Sequence, residues 1–217
     1  MPPTIKLATA ETNSHIAVFE LSERMDALES NGAHDMPKND IESVKLFIKV
    51  SDEQINLGNS IPKWEETKNW ALGINLNNIS SKQSLEINQK AFEVENWLLE
   101  DGVLQKRASG GNSGASLNSP INPVSSQING SLTNGQLSKE VSKASYTNDL
   151  FKVTLPTLIM TGKYDFVVAP ELSQDAYNLI SSTNKKLVVF DNSGHSPMSH
   201  EPEKYTNELI QFIDANK

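Results

Sequence analysis

Two residues suited to proton transfer follow the two clearest predicted strands of the sequence. Asp165 comes shortly after the apolar run 157–160, and His195 comes shortly after the apolar run 187–190. Open α/β sheets build their sites at the carboxyl ends of their strands, so both side chains are expected at one edge of a sheet. An acid followed about thirty residues later by a histidine fits a Ser-His-Asp triad in the chain order Ser, Asp, His.

The chemistry expected of this pair is general base catalysis. His195 would accept a hydroxyl proton and pass it to a leaving group, while Asp165 fixes the tautomer of the imidazole. Gly194 permits an unusual backbone angle or a close approach, and Pro197 stiffens the turn, which together predict that His195 is exposed at a strand end. A second interpretation stays open, in which Asp165 caps the following turn or helix and His195 is an ordinary loop residue.

The other histidines are weaker candidates. His200 precedes Glu201 and Pro202 at a predicted helix start, which favours a capping or surface role. His15 and His34 have no supporting context. Histidine and carboxylate spacings match no familiar metal-ligand pattern, so we expect no metal ion, and we expect no organic cofactor.

The elements around the pair form a predicted βαβ unit of a parallel sheet. A helix is expected to begin at Pro170 between the two apolar runs, and another at Pro202 after them. The segment 16–19 is a further short predicted strand. These features predict an α/β fold with parallel strands and flanking helices.

The middle of the chain predicts three amphipathic helices. The first should be capped by Asn39 or Asp40, the second should run from Pro62 to Gly73, and the third should span roughly 84–104. Their large apolar residues are expected to form a core rather than a cofactor site: Ile41, Val44, Phe47, Ile48, Trp64, Trp70, Leu72, Leu85, Ile87, Phe92, Val94, Trp97 and Leu98. Residues 108–139 are rich in turn formers and predict a polar loop or linker.

Composition excludes several classes of function. The net charge of -8 argues against a nucleic-acid surface. The absence of cysteine excludes disulfides and a cysteine nucleophile. No run approaches the apolarity of a membrane span, and no signal peptide is visible, which favours a soluble, cytoplasmic protein.

Two motifs resemble those of the α/β-hydrolase superfamily. Residues 156–168 look like its acid-bearing strand and loop, and residues 190–197 look like its histidine loop. The three predicted helices resemble the cap of proline iminopeptidase-like members. The resemblance implies a partial α/β-hydrolase sheet plus a helical cap subdomain, with Asp165 as the triad acid and His195 as the base.

The sequence departs from this family at the nucleophile. The family places its serine in a G-x-S-x-G elbow between a strand and a helix, and no such motif is present. Ser60 has Pro62 in place of the second glycine and follows a poor strand, and Ser113 is flanked by neither a strand nor a helix. We therefore expect the chain to be the C-terminal part of such a hydrolase: 1–38 as the end of the first core segment, 39–149 as the cap, and 150–217 as the last core segment.

The resemblance implies hydrolysis of a peptide, amide or ester, with a small-molecule or peptide substrate. The isolated chain should have little or no activity because triad members act as a unit. A noncatalytic protein that binds a ligand or partner is the alternative, and a helical interaction module is a third. Incomplete sheets expose strand edges, so self-association is expected. Four acidic residues could recognise a substrate amine, although the solvated face of a helix is the favoured assignment: Glu65, Glu66, Glu93 and Glu95.

Overall fold

The described residues contain a three-stranded parallel sheet. The computed structural model describes residues 17–20, 36–105 and 147–216. The strands are β1 (Ala17–Glu20), β2 (Thr157–Gly162) and β3 (Lys185–Phe190), in the order β1-β2-β3. Both pairings are parallel, with residue 157 opposite residues 17 and 185.

Strand β2 is buried along its whole length because elements cover it on both faces. Its six residues are all buried, as expected for a central parallel strand. Successive side chains point to opposite faces. Ile159 packs towards helix α4 (Pro170–Leu179), while Leu158 and Met160 pack with residues of helix α6 (Pro202–Asp214). The predicted α/β architecture of parallel strands with flanking helices is confirmed.

Three helices pack together and are here called the three-helix unit: α1 (Met36–Leu57), α2 (Ile61–Leu72) and α3 (Ser81–Glu100). Helix α1 ends in a Schellman motif, in which Gly58 N–H donates to Ile55 O and Asn59 N–H donates to Gln54 O. Gly58 has a φ of 79°, a conformation that favours glycine. Helix α2 ends before Gly73, as predicted.

The predicted boundaries of two helices were wrong. Helix α1 begins at Met36, so Asn39 lies inside it and its side chain bonds to the loop after β2 instead of capping. Helix α3 begins at Ser81 and ends at Glu100 rather than spanning 84–104. Its start is set by a capping box between Ser80 and Gln83.

The aromatic residues of the three-helix unit mostly pack inward, as predicted. Trp64 is fully buried and lies edge-on to Trp97. Phe47 stacks on Phe166 of the loop after β2, with 4.7 Å between ring centroids. Three residues that were predicted to lie in the core are instead at least 50% exposed, because they are not on the buried faces of their helices: Leu72, Leu85 and Phe92.

The remaining described elements are a 3-10 helix, Thr147–Lys152, and the one-turn helix α5, Pro197–His200. Within these described residues, no helix has the length and apolarity needed to span a membrane. The predicted polar segment 108–139 and the residues His15, His34 and Ser113 lie outside the described residues.

Candidate active site

Asp165 lies in the loop that follows β2, where its carboxylate is held by backbone donors. Its Oδ1 accepts hydrogen bonds from Val167 N at 3.1 Å and Val168 N at 2.8 Å. The loop also pairs with the loop after β3, since Tyr164 N–H donates to Ser193 O at 3.0 Å. Asp165 therefore caps the turn that follows it, which was one of the two interpretations of the sequence.

His195 lies against the same carboxylate. Its Nδ1 is 3.2 Å from Asp165 Oδ1 and 3.3 Å from Oδ2. The side chains of His195 and Asp165 are 7% and 1% exposed. The structure thus brings together the two residues that the sequence predicted to be neighbours, and Asp165 combines the capping contact with the histidine contact.

The prediction that His195 is exposed was wrong. The residue is only 5% exposed, because α3 of the three-helix unit approaches the histidine loop, residues 190–197. A carboxylate at Nδ1 favours the tautomer with the proton on Nδ1 and the lone pair on Nε2. This geometry suits an imidazole that accepts a proton at Nε2.

The three-helix unit is pinned to the loop of Asp165 by polar contacts from α1. Asn39 donates to Val167 O at 2.8 Å and accepts from Ala169 N at 3.1 Å. Farther along α1, Glu53 accepts from Lys163 Nζ at 2.7 Å and from Tyr164 Oη at 2.8 Å. These contacts join α1 to residues on both sides of Asp165 in the chain.

The cluster around Glu53 changes the ionisation of its members. Burial by itself raises the pKa of the Glu53 carboxyl, but hydrogen bonds from Lys163 and Tyr164 and the charges of Lys163 and Lys49 outweigh it and hold the pKa below its usual range. Burial lowers the pKa of Lys163, yet its hydrogen bonds with Glu53 and Tyr164 leave the pKa raised. Burial also raises the pKa of the Tyr164 hydroxyl.

The histidine loop is held by two further side chains. Glu201 Oε2 accepts from Asn192 N at 2.9 Å and from Ser193 Oγ at 2.7 Å. His200 Nδ1 accepts from Gly194 N at 3.1 Å. His200 is 1% exposed, so the predicted capping or surface role was wrong: the ring turns inward to satisfy the loop backbone.

Sequence reasoning also missed Glu95. Glu65, Glu66 and Glu93 are exposed, as favoured, but Glu95 is 5% exposed and points at the histidine loop. A signal was available, because Glu95 continues the i, i+4 series of Ile87 and Ala91 on the buried face of α3.

Ser60 does not match the geometry of a nucleophile elbow. It precedes α2 but follows the end of α1, so helices rather than a strand and a helix flank it. Its φ of 34° is left-handed, and its hydroxyl donates to Asp101 Oδ1 at 2.9 Å. Among the described residues, no group of three or more histidines and carboxylates is placed to hold a metal ion.

The chain is similar in sequence to several known proteins. The family described as serine aminopeptidase, S33, matches residues 137–203. The chain is similar to a proline iminopeptidase of Saccharolobus solfataricus (41% identical over 70 residues, 31% of this chain and 21% of that protein). It is also similar to the AB hydrolase superfamily protein YclE of Bacillus subtilis (37% over 65 residues, 30% of this chain and 23% of that protein).

A likeness to solved structures accompanies these matches. An esterase from Exiguobacterium antarcticum aligns with a TM-score of 0.34 and 21% identity, covering 59% of this chain and 46% of the esterase. The chain spans less than a quarter of the length of the two curated relatives described above. The sequence matches therefore concern one segment of those longer proteins.

Proposed function

Because the chain belongs to the α/β-hydrolase superfamily, we propose that it carries the acid and base of a serine-hydrolase triad. Asp165 is the acid and His195 is the base. The observation that supports this proposal is the contact of 3.2 Å between His195 Nδ1 and Asp165 Oδ1. The sequence contains no G-x-S-x-G elbow, so the proposal assigns the role of nucleophile to no serine of this sequence.

In the proposed reaction, the serine hydroxyl attacks a carbonyl carbon while His195 Nε2 takes the hydroxyl proton. The imidazolium is stabilised by the carboxylate of Asp165, whose Oδ1 is held in place by hydrogen bonds from Val167 N and Val168 N. His195 then gives the proton to the leaving amine or alcohol. Water repeats the sequence on the acyl-enzyme, which frees the acid product and restores the serine.

The proposed substrates are peptides, amides or esters with a cleavable carbonyl group. The relatives named as an aminopeptidase family and a proline iminopeptidase favour a peptide with a free N-terminus as the first substrate to test. The three-helix unit lies beside the site, where a cap would exclude water from the substrate. We propose this cap role for residues 39–149 as a whole.

The first experiment tests the acid–base pair in the chain as it is. Proton NMR should show a strongly downfield Nδ1–H signal for His195, because the proton is shared with a carboxylate. Asp165→Asn should abolish that signal and move the midpoint of the imidazole titration to lower pH, because the opposite charge is lost. Asp191→Asn is the matched control, since Asp191 is in the same loop region but its side chain is 77% exposed.

The second experiment tests hydrolysis. The isolated chain should not turn over a p-nitrophenyl ester or a prolyl-anilide. A chimaera with the N-terminal, nucleophile-bearing half of the Saccharolobus relative should do so, and His195→Ala should abolish the activity. A folded but inactive chimaera would favour the alternative function, a noncatalytic protein that binds a ligand or partner. Steady turnover by the isolated chain would contradict the need for an external serine.

A further inference from the structure

A buried acid–imidazole pair lies beside the proposed triad but outside it. His200 is in α5 and Glu95 is in α3 of the three-helix unit. Their side chains are 0% and 7% exposed, and His200 Nε2 lies 3.7 Å from Glu95 Oε1. Burying two ionisable side chains together is costly unless each has polar partners. The hydrogen-bond contacts of His200 and Glu95 with the histidine loop indicate the role of these two residues.

The hydrogen bond at Nδ1 fixes the tautomer of His200. Gly194 N–H donates to Nδ1 at 3.1 Å, so Nδ1 must carry a lone pair. In the neutral ring the proton is then on Nε2, the nitrogen that faces the Glu95 carboxylate. The tautomer of His200 is therefore opposite to the one proposed for His195.

Glu95 contacts the same part of the histidine loop directly. Its Oε2 is 3.5 Å from His195 N, a long contact. Its carboxylate also packs on Gly194, since a Cβ at that position would lie only 2.9 Å from Glu95 Cδ. Backbone N–H groups of two successive residues thus face this pair, one towards His200 and one towards Glu95.

We propose that His200 and Glu95 are positioning residues that set the backbone of Gly194 and His195, and so aim the imidazole of His195 at Asp165. The proposal rests on the proposed function only in naming His195 as the base. Two other charged groups border the loop. Glu201 holds its start through Asn192 and Ser193, with Lys204 3.9 Å from the Glu201 carboxylate.

This arrangement links the three-helix unit to the triad. The loop that follows Asp165 is held by α1 through Asn39, and the histidine loop is contacted by α3 through Glu95. The proposal thus makes the contact between His195 and Asp165 sensitive to Glu95, a residue 100 positions away in the sequence.

NMR spectroscopy and hydrogen exchange of the full chain test this proposal, and neither measurement requires enzyme activity. Nitrogen-15 NMR should report His200 as the Nε2–H tautomer. His200→Leu should accelerate hydrogen exchange of the Gly194 amide about tenfold, because its acceptor is gone. The same variant should weaken the downfield Nδ1–H signal of His195. His200→Asn retains an acceptor near Nδ1 and should restore both observations. Glu95→Gln keeps an acceptor near His195 N and should leave the Nε2–H tautomer of His200 in place, because Gly194 N–H still donates to Nδ1.

A merely structural role is distinguished by Val44→Ala, a cavity variant in the core of the three-helix unit. It should lower global stability without a selective effect on Gly194 or His195. An Nδ1–H tautomer of His200, or unchanged Gly194 exchange in His200→Leu, would overturn the proposal. If His195 lacks the Asp165-dependent signal in the wild type while Gly194 still responds to His200, the proposed triad fails and the backbone positioning stands.

Discussion

Gly162, the last residue of β2, touches the backbone of Gly194, which follows β3. A Cβ placed on Gly162 would lie 2.1 Å from the carbonyl oxygen of Gly194 and 2.5 Å from that of Ser193. No side chain fits between the end of β2 and the histidine loop. This close approach lets Tyr164 N–H reach Ser193 O and brings Asp165 within reach of His195.

We therefore expect Gly162→Ala to separate the two loops. The added methyl group has to displace backbone, so the free energy of unfolding should fall by about 1–3 kcal/mol or more, as for overpacked sites. The downfield Nδ1–H signal of His195 should weaken as well. Urea unfolding and proton NMR measure the two effects.

The control for this prediction is Gly73→Ala at the end of α2. A Cβ there would lie 3.3 Å from Trp70 O, and the φ of -77° suits any residue. Its effect on the free energy of unfolding should stay below that of Gly162→Ala, and the His195 signal should not change. Equal losses of free energy of unfolding in the two variants would contradict the prediction that Gly162 is needed for the contact between the two loops.

The sequence predicted the parts of the site that depend on local patterns. Apolar runs bounded by Pro156 and Gly162 gave β2, and the order of acid and histidine placed both at one sheet edge. The prediction failed where polar side chains are buried by distant partners. His195, His200 and Glu95 are covered by contacts between residues far apart in the chain, and no local pattern reports such packing.

The contact between α1 and the loop after Asp165 could not be predicted from the sequence either. Asn39 looks like a helix cap because Asn is favoured at that position. In the structure its amide group instead bridges Val167 and Ala169, 128 and 130 residues away. A cap and a tertiary bridge require the same donor and acceptor groups, so residue type alone cannot separate them.

The cluster of Glu53, Lys163 and Tyr164 predicts a loss of stability in acid. The pKa of Glu53 is lowered by folding, so the native state releases this proton more readily than the unfolded state does. The stabilisation is present above the usual value of 4.5 and is lost as the pH falls through the lower folded pKa. Because the pair is about a third exposed, we expect only about 0.2–1 kcal/mol.

Urea unfolding of the wild type and Glu53→Gln from about pH 7 down to about pH 3 measures this contribution. The difference between the two proteins should be constant near neutrality and shrink below about pH 4.5. Glu100→Gln breaks the exposed pair with Lys63 and is the matched control. A difference that grows in acid would contradict the sign assigned here.

Asp40 predicts the opposite dependence on pH. Burial raises the pKa of this carboxyl, although a hydrogen bond with Ser84 lowers it in part. The folded state therefore keeps the proton to higher pH than the unfolded state, and its relative stability falls as the pH rises through the folded pKa. Asp40→Asn removes the buried charge and should raise stability at neutral pH by up to about 1 kcal/mol.

Thermal unfolding near neutral pH and near pH 3 checks this prediction. The gain from Asp40→Asn should be larger at neutral pH, where the wild-type carboxyl is charged. Ser84→Ala provides the reverse change, because it removes the hydrogen bond that favours the charged form. It should destabilise the protein at neutral pH. A destabilising effect of Asp40→Asn there would show that the charge contributes more through its contacts than its burial costs.

We expect the outer strands of the described sheet to cause self-association. Strand β3 pairs only with β2 among the described strands, and Val189 on it is 42% exposed. Exposed edge strands pair with other chains unless charges block them. Light scattering should therefore give a mass above the 23.9 kDa of one chain. Val189→Lys should reduce that mass, whereas Thr183→Lys, an exposed position before the strand, should not. A compact monomer at every concentration would contradict the prediction.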